Sequence, residues 1–162
     1  MKKLCVLLFL STVWFAPNVA LADSIILGPN DFVPESDTTK YFHSTEILYA
    51  KAGSGNGEFY APVHLPDGAN ITSVVLFYKD SSITGSVEML MYKKNIYNLD
   101  SIVMCYYFST QSTPGLFIQK IAPITGGNKV NNSGYFYNVK IQFPDTSLGD
   151  ECAVYAVKIM YK

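Results

Sequence analysis

Short runs of β-branched and aromatic residues, cut at close intervals by glycine, proline, asparagine and aspartate, fill the sequence from Glu46 to its end. The clearest run is Tyr135–Phe143, where Tyr135, Tyr137, Val139, Ile141 and Phe143 alternate with Phe136, Asn138, Lys140 and Gln142. A period of two places the first set on one face and the second on the other, so the segment is predicted to be a strand with one apolar side. Phe59–Leu65, Ile71–Asp80, Val87–Lys94, Ile102–Ser109, Phe117–Ile121 and Ala153–Tyr161 read as further strands, and a shorter one is expected near Glu46–Ala50. Val74, Val75, Leu76 and Phe77 are apolar in succession, the mark of a strand covered on both faces. Turn clusters separate these runs: Gly53-Ser54-Gly55-Asn56-Gly57, Pro66-Asp67-Gly68, Thr84-Gly85, Pro114-Gly115, Gly126-Gly127-Asn128 and Asn131-Asn132-Ser133-Gly134. No stretch sustains apolar spacing at helical intervals. The expected fold is therefore all-β: an antiparallel, jelly-roll-like β-sandwich of seven to eight strands. Asp23–Lys40, polar and with Pro29 and Pro34, is expected to be an irregular arm over the sheets, with Ile25–Leu27 pairing at an edge.

The start of the chain is of another kind. Lys2 and Lys3 precede an apolar run from Leu4 to Phe15 broken only by Ser11 and Thr12; Pro17 and Asn18 end it, and Ala20-Leu21-Ala22 follows. This is the pattern of a secretory signal peptide, residues 1–22, cleaved after Ala22 to leave Asp23 first. A membrane anchor would need about 20 consecutive apolar residues, more than this segment offers. The remainder, 23–162, has the length of one ordinary domain, with no repeat and no dividing linker. It carries no second stretch of membrane-spanning length, and its expected place is outside the cytoplasm, secreted or periplasmic.

All twelve basic residues are lysines, against thirteen acids. Without arginine, the residue suited to bidentate phosphate and base recognition, and with a mildly negative charge, nucleic acid is excluded as the expected partner. No lysine cluster marks an anionic membrane surface; Lys93-Lys94 is the one adjacent basic pair after the leader and reads as a solvated strand end. Cleavage removes Cys5 and leaves Cys105 and Cys152, an even pair in an oxidising compartment, for which a disulfide is expected; two separate buried thiols are the alternative.

Catalytic chemistry has little to stand on. His43 and His64 are the two candidate imidazole bases, and no nucleophile-elbow motif accompanies either. Asp145, Asp150 and Glu151, and in the arm Asp31, Glu35 and Asp37, lie close in sequence. They match no defined calcium loop, so turn chemistry is the expectation, with no metal and no cofactor. The twelve tyrosines and ten phenylalanines are the compositional departure. Most should be half-buried core, but a row exposed on one face would form a stacking platform for sugar rings. Tyr41, Phe42, Tyr60, Tyr97, Tyr106 and Tyr107 are the candidate ligand-binding residues.

Ala61-Pro62-Val63-His64-Leu65-Pro66-Asp67-Gly68-Ala69-Asn70-Ile71, running on into Phe77-Tyr78-Lys79-Asp80 and closed by Val154–Ile159, resembles a P-V-x-L-P-x-G-A-x-I strand-turn-strand motif found in a loose group of uncharacterised secreted bacterial proteins. The resemblance spans about a third of the chain after the leader. It implies a compact β-sandwich and carries no activity with it. The functional expectation is a non-enzymatic recognition module at the cell envelope, with glycan as the favoured ligand class. The alternatives are an assembly subunit acting through sheet edges or oligomerisation, and a small hydrolase whose site the sequence does not display.

Overall fold

The computed structural model describes residues 22–53, 57–109 and 118–162, with backbone alone for 118–121; the expected leader, apart from Ala22, lies outside the described residues. Within them run eleven strands: β1 (Asp23–Leu27), β2 (Val33–Pro34), β3 (Tyr41–His43), β4 (Leu48–Ala50), β5 (Gly57–Val63), β6 (Ile71–Asp80), β7 (Glu88–Asn95), β8 (Ser101–Phe108), β9 (Ile118–Ala122), β10 (Tyr135–Phe143) and β11 (Cys152–Tyr161). They form two antiparallel sheets. One has the order β3-β4-β11-β6-β9, with β1 also against β11, and the other the order β2-β5-β10-β7-β8. Among the described residues no helix is long and apolar enough to cross a membrane.

The period-two pattern does what it predicts. In β5, Phe59, Ala61 and Val63 are buried; in β10, Tyr137, Val139, Ile141 and Phe143; in β7, Met89 and Met91. These meet Val74, Leu76 and Tyr78 of β6 and Val154, Val157 and Ile159 of β11 from the other sheet, in one core. Side chains of this size stabilise by about 2 kcal/mol each when fully buried. β6 lies between β11 and β9, and Val75 is buried opposite its core-facing neighbours, as the apolar run predicts, while Phe77 is only half-buried.

The arm is more regular than expected. Asp23–Leu27 pairs along Val157–Tyr161, so Ile25–Leu27 does join a sheet, and Val33–Pro34 pairs with Phe59–Tyr60 at the margin of the other. Proline fits there because an edge position does not need its missing N–H.

The Cys105–Cys152 disulfide is not formed: both are buried free thiols. The two cysteines belong to different sheets, Cys105 in β8 and Cys152 at the start of β11, and each has its own surroundings. Cys105 packs among core side chains, and burial pushes its thiol up to about 11. Cys152 donates to Asp80 Oδ1 at 3.6 Å, and burial, with the Asp80 charge next, pushes it up to about 12.

Asp80, fully buried at the end of β6, ties the layers together. It accepts hydrogen bonds from the Ser109 hydroxyl, just beyond β8, and from the Ser82 N–H at 3.2 Å. Ser109 Oγ in turn accepts from the Val87 N–H at 2.8 Å. A second link between sheets is the Tyr78–Tyr107 hydroxyl contact, 2.7 Å.

Candidate functional site

The residues that alternate with the core positions of β5, β10, β7 and β8 share the outer face of the five-stranded sheet. Strand register sets them in rows. Tyr60, Lys140, Leu90 and Tyr106 lie side by side across the four strands; Glu58, Gln142, Glu88 and Phe108 form the next row, and Pro62, Asn138, Tyr92 and Val103 the one after. A register shift between Met91 and Tyr92 makes this possible. Strict alternation would put Val103 and Tyr106 on opposite faces. The extra residue on β8 lets Met104 and Cys105 both be buried while Val103 and Tyr106 both face out, 45 % and 44 % exposed.

Two kinds of group result. Tyr106 and Phe108 stand nearly parallel along β8, ring centroids 5.8 Å apart and planes 30° apart. Tyr60 and Tyr92 meet edge to face at 6.5 Å and 85° on the β5 side. Beside the rings is a polar cluster. Lys140 Nζ lies 2.8 Å from Glu58 Oε1, both side chains largely covered, and 5.8 Å from the centre of the Tyr60 ring. The Tyr60 hydroxyl donates towards Glu35 Oε1 at 3.2 Å and Glu58 Oε2 at 3.3 Å, and the Tyr106 hydroxyl towards Glu88 Oε2 at 3.3 Å. Glu35 follows β2, so the arm supplies one member of the cluster.

The electrostatics follow from this crowding. Glu35 is raised from the ordinary carboxylate range, mainly by its hydrogen bond to Glu58, then by desolvation and the Glu58 charge. Glu58, despite its own desolvation, is held lower by hydrogen bonds from Glu35 and Lys140 and by the lysine charge. Desolvation and the two carboxylates push the Tyr60 phenol up, so it is a neutral donor at physiological pH. Glu58 therefore presents a charged acceptor beside stacked rings, and Glu35 is the first of the pair to take a proton as pH falls. Asn138 and Gln142 on the same face add amide donors and acceptors.

At one end the face opens into a groove of about 460 Å³ lined by Pro62, His64, Asn132, Phe136 and Asn138. Phe136 is 43 % exposed there.

Of the six aromatic residues singled out from the sequence, Tyr60 and Tyr106 share this face. The others do not. Tyr41 turns inward and packs edge-on against Phe59, centroids 5.4 Å apart. Tyr107, on the buried side of β8, spends its hydroxyl on Tyr78. Phe42 belongs to the other sheet, stacked on Tyr49 at 5.2 Å, and Tyr97 stands at the β7–β8 turn, 81 % exposed. Sequence reasoning missed Tyr92, Phe108, Phe136 and the Glu58–Lys140 pair. The alternation of β5 and β10 could have found the last: Glu58, Tyr60 and Lys140 are the out-of-phase positions of two clearly periodic strands.

Glu35 Oε1 and Glu58 Oε2 both approach the Tyr60 hydroxyl, at 3.2 and 3.3 Å, so the two carboxyls crowd one donor. Among the described residues, no three His, Cys, Asp or Glu side chains gather as a metal site. Of the acids before β11, Asp145 does turn chemistry and Asp150 meets a lysine. Asp145 accepts from the Ser147 N–H at 2.9 Å, and Asp150 lies 3.5 Å from Lys79.

No protein-family description and no curated protein sequence matches the chain. Among solved structures it is similar to a "xylan-binding module CBM15", with a TM-score of 0.51 and 13 % identity over 85 % of this chain and 95 % of that one. The two share a β-sandwich fold.

Proposed function

We propose that the protein is an exported carbohydrate-binding module that holds a glycan against the outer face of its five-stranded sheet. The observation that carries this reading is the near-parallel Tyr106–Phe108 pair set in register beside the Glu58–Lys140 and Tyr60 cluster. Sugar rings have apolar faces that stack on aromatic rings and edges ringed with hydroxyls, which need acceptors and donors alongside; this face supplies both. A xylan-binding module of similar fold supports the same ligand class. The role in this reading is recognition, with no bond made or broken, and its support is the similarity in fold to a binding module.

Export is part of the proposal and rests on residues 1–22. N-terminal sequencing of the released protein is expected to begin at Asp23; a product beginning at Met1 would remove this half of it. The binding half is tested by screening 23–162 and its Tyr60→Ala variant on an array of neutral oligosaccharides. Binding by the parent chain that weakens in the variant is expected, and no binding to any glycan refutes it.

For the assembly alternative, the longest margin strand among the described residues is β8. It is already blocked in part: the Thr125 N–H donates to the Met104 carbonyl at 2.7 Å and Gly126 follows at 3.2 Å, laying a loop on that edge.

A further inference from the structure

The turn between β7 and β8 exposes side chains that a solvated hairpin does not call for. Ile96, Tyr97 and Leu99 are 45, 81 and 61 % exposed, and Ile102, just inside β8, is 40 % exposed. Polar groups build the turn itself: Asn95 Oδ1 accepts from the Tyr97 N–H at 2.8 Å, and the Leu99 N–H donates to the Asn95 carbonyl at 3.0 Å. Leu99 has φ of 62°, a left-handed conformation that suits glycine or asparagine and disfavours leucine. Leu99 thus presents an apolar side chain to solvent from a backbone conformation that favours glycine or asparagine.

Lysines flank the tip. Lys93 and Lys129 line a groove of about 530 Å³ with Asn131 and Tyr135. The Lys93 ammonium sits 5.1 Å above the Tyr135 ring. Lys94 follows in β7 opposite Ser101. Among the described residues none of these three lysines is ion-paired. Two aspartates lie near and are engaged locally: Asp67 accepts from the Asn132 N–H at 2.8 Å, and Asp100 from the Asn98 amide at 2.6 Å. Three ammonium groups against two carboxylates leave a positive excess. At about 3.3 Å per strand residue, Lys93 and Lys94 lie within about 10 Å of the apolar tip.

We propose that this end of the sandwich docks on an anionic lipid bilayer, with Ile96, Tyr97 and Leu99 entering the interface and Lys93, Lys94 and Lys129 meeting lipid phosphates. A stable protein partner needs about 800 Å² from each side, more than one short turn provides. A bilayer accepts a small apolar insertion combined with charge. Tyrosine, with an apolar ring and a polar hydroxyl, suits the headgroup level.

The test uses 23–162, which contains both sheets whole and omits an apolar leader that would bind lipid by itself. Flotation is measured with vesicles of phosphatidylcholine alone and with vesicles also containing phosphatidylglycerol. Flotation with the second kind only, weakened by added salt, is expected. Trp14 is the one tryptophan of the sequence and lies in the leader, so Tyr97→Trp gives a lone reporter whose emission should shift to the blue on binding. The double variant Tyr97→Ser, Leu99→Asn, which relieves the backbone, should keep the fold and lose about tenfold or more in binding. Lys129→Ala should lose about fivefold, the effect of one lysine near an anionic surface. No flotation, equal flotation with both vesicles, or undiminished flotation of the double variant would overturn the proposal. So would a lipid-free dimer that the double variant abolishes, because the tip would then be a protein contact.

Discussion

Asp80 shows how much of the interior depends on single side chains. It is a buried carboxylate whose oxygens satisfy Ser109, Ser82 and Cys152 at once. Replacing it with alanine strands those donors, and the expected loss is about 3 kcal/mol in urea denaturation. Unchanged stability would mean that the link between sheets carries little. The cysteines make the matching prediction in pH. Their folded values, about 11 and about 12, stand above the free-thiol value of 9.0. The folded state thus holds its protons more tightly than the unfolded chain. The contribution is fully present below pH 9 and declines as pH rises from 9 towards 12. Thiol reagents at pH 8 should label neither cysteine until the chain is unfolded. Rapid labelling of the folded protein would contradict the burial described. The disulfide expectation failed at this scale for a plain reason: an even count of cysteines says nothing about whether the fold brings the two thiols together.

At the scale of elements, the strands were legible because their chemistry is periodic, and the arm was legible only in part: apolar Ile25–Leu27 marked β1, whereas β2 is too short to show a period. β2 borrows its partner from β5, and pairing of that kind leaves no trace in a local pattern. The bulge in β8 was equally hidden. Ile102–Ser109 is apolar throughout, so the sequence offers no phase, and the position of Tyr106 on the outer face depends on where the extra residue falls. Gly126 was legible as a turn signal, but its task is more specific. A Cβ there would lie 2.1 Å from the Val103 carbonyl oxygen, so only glycine lets the loop cover the β8 edge. Gly126→Ala is expected to cost about 2 kcal/mol or more. It should also speed hydrogen exchange at Thr125, whose N–H is bonded to Met104. Exchange at the parent rate would show that the loop accommodates the methyl group without leaving the edge.

For the molecule as a whole, the two sheets share one core, and the outer face of the five-stranded sheet gathers rings and polar groups in register. The sequence supplied the correct fold and two of its ring positions, Tyr60 and Tyr106. The rest of the site depends on four strands distant in the chain coming together in the order β5-β10-β7-β8, a tertiary fact. The central claim is that this face, and not the aromatic pair on the other sheet, holds a glycan. Affinity electrophoresis through gels containing soluble xylan, or a soluble β-glucan, tests it most directly, comparing 23–162 with Tyr106→Ala and Phe42→Ala. The parent chain and Phe42→Ala should be retarded alike in at least one of the two gels, while Tyr106→Ala, stripped of a central stacking ring, should bind about tenfold more weakly. Passage of all three proteins without retardation in either gel, or equal retardation of Tyr106→Ala, would contradict the account.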